Sequence, residues 1–120
     1  MDIVNIDRVE SFITADGSEI REILAHRNSC IRLQSLAEAR LPIGKSTTAH
    51  HHKITEEIYY ILEGTGEMEI DGEKSSVVPG DAIAIPPNAI HQITNTGDVV
   101  LRFLCCCAPC YEHEDTYLEE

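Results

Sequence analysis

Three of the six histidines in this chain fall in one run, His50-His51-His52, and two carboxylates, Glu56 and Glu57, follow shortly after. A surface pH switch, an accident of composition or a metal site would each cluster such groups. Strand geometry narrows the choice, because residues two apart in a strand point the same way. His50 and His52 then share a face with Ile54, while Ala49, His51 and Lys53 share the other. The Lys53 ammonium requires water, which turns His51 outward and His50 and His52 inward. Two inward imidazoles one strand step apart can reach a common ion. Glu56 and Glu57 point to opposite faces, and Glu57 falls in line with Tyr59 and Ile61. His91, distant in sequence, lies on an apolar face with Ile93. Taken singly, His91 reads as a core histidine, His50 and His52 as surface residues, and Glu57 carries no signal. Together, three imidazoles and one carboxylate form a mixed nitrogen and oxygen donor set. Such a set suits a first-row divalent metal in a site with more than four positions.

The elements that must position these groups read as short strands. Glu19–Leu24 alternates polar and apolar residues, and Ser35–Leu41 puts Glu38 and Arg40 on one face with Ala37, Ala39 and Leu41 on the other. Glu57–Glu63 ("EIYYILE") is apolar on both faces, as in a strand covered on both sides. Met68 and Ile70 share a face, and Asp71-Gly72 supplies what a tight hairpin turn needs. In Leu101–Ala108, Arg102 must face water, which sends Leu101, Phe103, Cys105 and Cys107 inward and leaves Leu104 and Cys106 outward. Breaks rich in Gly, Pro and Asn recur roughly every eight to twelve residues, the mark of an all-β antiparallel sandwich or barrel. The chain reads as one domain, residues 1–120, with a core barrel over about 19–108. The first fifteen residues and the last ten are expected to be loose or exchanged ends.

Two motifs then stand out. In the first, Gly44 is followed after five residues by His50, then His52, Glu57 and, after six more, Gly64. In the second, Gly80 is followed after five residues by Pro86, then Asn88, His91 and Asn95. The pair resembles the two motifs of the cupin superfamily, with a short spacer of fifteen residues between Gly64 and Gly80. One departure is Asn88, where the superfamily usually has glycine; Asn tolerates the left-handed turn that Gly serves there. The resemblance implies a double-stranded β-helix, or jelly roll, and a metal held by His50, His52, Glu57 and His91. Glu56 is the alternative carboxylate in a shifted register, but only Glu57 has the motif spacing to Gly64. The resemblance also makes Gly44, Gly64, Gly80, Pro86, Asn88 and Asn95 turn-setting residues.

The implied cofactor is one divalent transition metal per chain: manganese, iron, nickel, cobalt, copper or zinc. With four protein ligands, an octahedral ion keeps two positions for a small-molecule substrate or ligand. Oxygenase chemistry, isomerase or lyase chemistry, and binding of a sugar or acid without turnover all fit. The end of the chain looks like small single-domain cupins often labelled mannose-6-phosphate isomerase-like, a label that does not establish the activity. Tyr59 shares a face with Glu57, either as a hydrogen-bond donor to substrate or as a core aromatic.

Composition bounds the rest. The net charge of −12 argues against nucleic acid and anionic membrane surfaces as partners. Part of that excess sits in Glu112, Glu114, Asp115, Glu119 and Glu120, which read as a solvated terminus. The start has neither the basic region nor the apolar core of a signal peptide, so a cytoplasmic location is expected. The five cysteines are then reduced thiols. Cys105 and Cys107 read as small apolar core residues, with Cys105 also a candidate cavity thiol. Cys107 and Cys110 have C-x-x-C spacing, with His113 following, and Cys110 is expected to be exposed and open to oxidation. Ile58, Tyr60 and Leu62, with Leu104 and Cys106, form an outward apolar set that predicts a homodimer.

Overall fold

The computed structural model describes residues 1–119; Glu120, counted above with the acidic tail, lies outside the described residues. Alternation in the sequence becomes alternation in burial. Eleven strands follow one another: β1 (Phe12–Ile13), β2 (Glu19–Leu24), β3 (Ser35–Leu41), β4 (His50–His52), β5 (Glu56–Glu63), β6 (Gly66–Ile70), β7 (Glu73–Val77), β8 (Ala82–Ile85), β9 (His91–Asn95), β10 (Leu101–Ala108) and β11 (Thr116–Leu118). They form a six-stranded sheet in the order β1-β2-β3-β10-β5-β8 and a five-stranded sheet in the order β11-β4-β9-β6-β7. Every pairing is antiparallel. From β3 onward the chain keeps crossing between the sheets, which is the winding of a jelly roll. The fold is the all-β double-stranded barrel expected from the motifs.

The inner faces meet in one apolar core. Ala39, Leu41, Tyr59, Ile61, Leu101 and Phe103 come from the larger sheet, and Met68, Val77 and Ile93 from the smaller. Asp71 and Gly72 both take positive φ (48° and 86°) and join Ile70 to its partner Glu73, giving the two-residue hairpin. Asn88 has φ 70°, the left-handed conformation its place in the motif demands. Asn95 is structural: its Nδ2 donates to the carbonyls of Leu41 and Val99, and its Oδ1 accepts from the Gly97 N–H. At Gly66 a Cβ would lie 2.8 Å from the Thr94 carbonyl oxygen, so two neighbouring strands approach too closely for any side chain there.

Four expectations need correction. First, β5 is covered on one face only within the chain: Ile58, Tyr60 and Leu62 stay 50%, 41% and 37% exposed. Second, the ends are tied down. Phe12 and Ile13 pair with Ile20 and Glu19, and Thr116–Leu118 pairs with the histidine strand β4. The tail is therefore not simply solvated: Asp115 is buried, because its carboxylate accepts the backbone N–H groups of Lys53, Ile54 and Thr55. Third, Cys110 is buried, its thiol donating to the Gln34 carbonyl at 3.0 Å, and is not an exposed thiol. Fourth, Ile54 does not share the inward face of His50 and His52. The chain turns after His52, and Ile54 lies 67% exposed in the connection to β5.

One polar residue on the outer face of the larger sheet is fully buried. Glu38, 0% exposed, sits between two arginines, with Oε1 2.5 Å from Arg40 Nε and Oε2 2.7 Å from Arg102 Nη2. Burial acts to raise its carboxyl, but the hydrogen bonds from Arg102 and Arg40 outweigh that and hold it below the usual range.

Candidate metal centre

β4 carries His50 and His52 inward and His51 outward, as parity requires. His51 stacks on Tyr117 with ring centroids 5.2 Å apart, away from the other two. β9 lies beside β4 with His91 directly opposite His50. Ring centroids of His50 and His91 are 4.2 Å apart, those of His50 and His52 5.1 Å, and those of His52 and His91 5.6 Å. Glu57 enters from β5 in the facing sheet, its Oε1 3.4 Å from His52 Nε2 and 3.6 Å from His91 Nε2. The structure thus brings His50, His52, His91 and Glu57 together, and all four are buried. Glu56 points the other way and is exposed.

Backbone carbonyls set the tautomer of each imidazole. His50 Nδ1 lies 2.8 Å from the Thr48 oxygen, His52 Nδ1 3.1 Å from that of Asp115, and His91 Nδ1 2.9 Å from that of Ala89. A carbonyl oxygen only accepts, so each Nδ1 carries a proton, and in the neutral imidazole each Nε2 keeps its lone pair. One ring nitrogen of each histidine lies within 4.8 Å of one from the others, and among the described residues this is the only such group of three or more ligand-type side chains. Donors to a single ion at about 2.0–2.2 Å lie at most about 4.4 Å apart, so the cluster is close to ligating geometry.

Two of the three buried side-chain atoms without a partner among the described residues point to the same place; the third, Arg102 Nε, lies on the outer face. Glu57 Oε1 and His91 Nε2 are buried with no hydrogen-bond partner among the described residues. Leaving such groups unsatisfied costs roughly 1–3 kcal/mol each. A cation between them would satisfy both, and the donor set of neutral imidazoles and a carboxylate fits a divalent transition metal. Burial acts to raise the Glu57 carboxyl, but the facing His52 and His91 outweigh it and hold it at about 2, so it is an anionic donor at neutral pH. Burial, and then the charge of His91, pushes His50 below the usual histidine range. For His52 the carboxylate of Glu57 overcomes burial and raises it.

Around this cluster lies a small cavity of about 40 Å³. Its apolar walls include Ile20, Ala37, Ala39 and Phe103, and its polar lining includes Tyr59, Tyr111 and Thr116. Cys105 and Cys107 line it too, and the Cys107 thiol donates to Glu57 Oε2 at 3.3 Å. Burial pushes both thiols well up, followed by the charge of Glu57, so they stay protonated and unreactive. Cys107 faces the cavity while Cys110 reaches the Gln34 carbonyl, so the C-x-x-C pair does not converge on a site. All five cysteines are free thiols.

Sequence reasoning missed one wall of the cavity. The β1–β2 connection folds over the site and places Asp16, flanked by Thr14 and Ser18, with Asp16 Oδ2 3.6 Å from His50 Nε2. The run Thr14-Ala15-Asp16-Gly17-Ser18 has the composition of a turn, but nothing local says what it covers. The tail was missed as well: Tyr111 packs edge-on to His52 at 5.9 Å, and Asp115 supports the loop that joins the histidine strand to Glu57.

The cupin-domain family model matches residues 37–107, which is more than half of the chain. An uncharacterized protein of Methanocaldococcus jannaschii is 52% identical over 115 residues, covering 95% of this chain and 91% of that one. An oxalate-binding protein of Thermotoga maritima is 33% identical over 86 residues, covering 72% of this chain and 71% of its own. The solved structure of the polyketide cyclase RemF from Streptomyces resistomycificus superposes with a TM-score of 0.84 over 100% of this chain and 86% of its own. At 23% identity, that likeness is one of fold. With the barrel, the buried histidine cluster and a family match that runs from β3 to β10, this chain belongs to the cupin family.

Proposed function

We propose that the protein is a metal-dependent enzyme acting on a small oxygenated metabolite, with His50, His52, His91 and Glu57 holding one divalent transition ion per chain. The observation that carries this reading is the convergence of three imidazole lone pairs beside a buried carboxylate oxygen that has no other partner. An ion held there supplies a Lewis acid for a ligand oxygen. Manganese, iron, nickel, cobalt, copper and zinc all suit the donors. The remaining roles belong to the chain's own residues. The backbone carbonyls of Thr48, Asp115 and Ala89 fix the histidine tautomers, Phe103 and Ile20 exclude water, and the Tyr59 and Tyr111 hydroxyls offer hydrogen bonds to a bound ligand. The chemistry is of oxygenase type or of isomerase or lyase type, and a homodimer built on the exposed β5 face completes the proposal.

A second reading, a barrel that binds a sugar or acid without turning it over, is favoured by one observation. The hydroxyls and thiols of the cavity are held far from neutral titration: burial raises Tyr59, Cys105 and Cys107 strongly and takes Tyr111 up to about 12. The test incubates protein reconstituted with each candidate metal with a panel of hydroxy acids, hydroxyketones and enols, following oxygen uptake and products by mass spectrometry. Metal-dependent consumption of a panel member supports the enzyme. Tight binding with no consumption by any metal form supports the binding barrel instead.

A further inference from the structure

Among the described residues, no lysine or arginine lines the cavity beside the histidine cluster, yet three carboxylates do: Asp16, Glu22 and Glu57. Glu22 is neutralised by Arg27, whose guanidinium donates to both of its oxygens at 2.9 and 2.8 Å. Glu57 faces His52 and His91. Asp16 is different. Its Oδ1 is saturated, accepting from Thr14 Oγ1 (2.5 Å), Ser18 Oγ (2.6 Å) and the Ser18 N–H (2.9 Å). These bonds fix the rotamer and turn Oδ2 toward the cavity, where it has no hydrogen-bond donor among the described residues and lies 3.6 Å from His50 Nε2.

We infer that Asp16 is the ligand-facing acceptor of the cavity and selects uncharged, hydroxyl-bearing ligands over carboxylate dianions and phosphate esters. The inference rests on the metal-binding reading above. A divalent ion, the Glu57 carboxylate and the Asp16 carboxylate sum to zero charge. A ligand hydroxyl supplies the donor that Oδ2 lacks and leaves the sum at zero. A dianion brings two negative charges against Asp16 in a site with no cationic side chain to receive them. Each such charge weakens binding by about tenfold or more across a partly hydrated cavity a few ångströms wide.

The test uses three two-carbon probes that suit a small cavity: oxalate, glycolate and glycolamide, carrying two, one and no negative charges. Zinc alone is first titrated into wild type and Asp16→Asn, and the probes are then titrated into the zinc-loaded proteins by calorimetry. Both proteins are expected to hold one zinc per chain. Asp16→Asn is expected to bind oxalate about a hundredfold more tightly than wild type and glycolate about tenfold more tightly, with glycolamide several-fold weaker. Oxalate affinities within threefold of each other in the two proteins overturn the inference while the metal site stands. Loss of zinc in Asp16→Asn alone also overturns it, because Asp16 would then be a ligand to the ion. No zinc in wild type overturns the metal reading itself. Should Asp16→Asn not fold, wild type still decides. Its preference for oxalate over glycolamide must fall at least tenfold below that of zinc held by a chelator of three imidazoles and one carboxylate, and a smaller fall refutes the role of Asp16.

Discussion

Replacing Asp115 with alanine is expected to destabilise the protein and loosen its metal site together. The Asp115 carboxylate accepts the backbone N–H groups of Lys53 (3.0 Å), Ile54 (3.1 Å) and Thr55 (3.1 Å). Those residues form the link between β4, which carries His50 and His52, and β5, which carries Glu57. Thr55 is buried, so its N–H would be left unsatisfied at a cost of about 1–3 kcal/mol. Lys53 and Ile54 are exposed and can turn to water, losing about 0.5–1 kcal/mol each. The sum is about 2–5 kcal/mol, which for a chain of this size lowers Tm by about 8–20 °C. Asp115→Asn keeps one acceptor oxygen and should lose about half as much. Burial acts to raise the Asp115 carboxyl, but the N–H groups of Thr55, Ile54 and Lys53 outweigh it and hold it below the usual aspartate range. Its stabilisation is therefore complete above an unfolded value of about 3.9 and is lost as pH falls through the lower folded value. Urea denaturation of wild type and Asp115→Asn should show a gap at pH 7 that closes in strong acid. Zinc affinity should fall at least about tenfold in Asp115→Ala as the loop relaxes. A wild-type urea midpoint in Asp115→Ala, within about 0.5 kcal/mol, would refute the cap and the positioning argument with it.

Three further outcomes follow from particular contacts. Glu38→Gln should cost about 1–2 kcal/mol in urea denaturation, below the usual toll for breaking a buried pair because the Arg40 and Arg102 side chains are each 33% exposed; metal content should not change. Gly66→Ala should lower stability by about 1–3 kcal/mol in thermal melts, since its Cβ would lie 2.8 Å from the Thr94 backbone oxygen and 3.1 Å from Leu101 Cδ2; an unchanged Tm would mean the strands part freely there. Tyr60→Glu puts a charge on the exposed apolar face of β5 and should sediment as a monomer or fall out of solution; a soluble dimer would move the interface elsewhere.

Much of the barrel was legible because period-two patterning survives in its inner strands. Phe103, Cys105 and Cys107 were placed inward by the single demand that Arg102 reach water, and Asp71-Gly72 announced its hairpin locally. The donor cluster was legible for a related reason: β4 and β5 fix the parity of His50, His52 and Glu57. Bringing His91 opposite His50 depends on pairing between strands far apart in sequence, which only the motif resemblance supplied. Other features were closed to sequence reading because their causes are long-range. Asp115 looks like one more acidic residue in a charged tail until its carboxylate is seen holding the N–H groups of the loop before Glu57. Asp16 looks like a turn former until the β1–β2 connection is seen lying over the cavity. Glu38 alternates as a surface residue should, but its two arginines come from its own strand and from β10, and they close over it.

Metal content of untagged protein, purified without chelator from cells with a balanced metal supply, tests the central claim most directly. Wild type and His51→Ala should each carry about one ion of manganese, iron, nickel, cobalt, copper or zinc per chain, because His51 stacks outward on Tyr117. His91→Ala, which removes one of three converging nitrogens, should carry little or none. Wild type that stays empty even after reconstitution, or equal loss in His51→Ala and His91→Ala, would contradict the account.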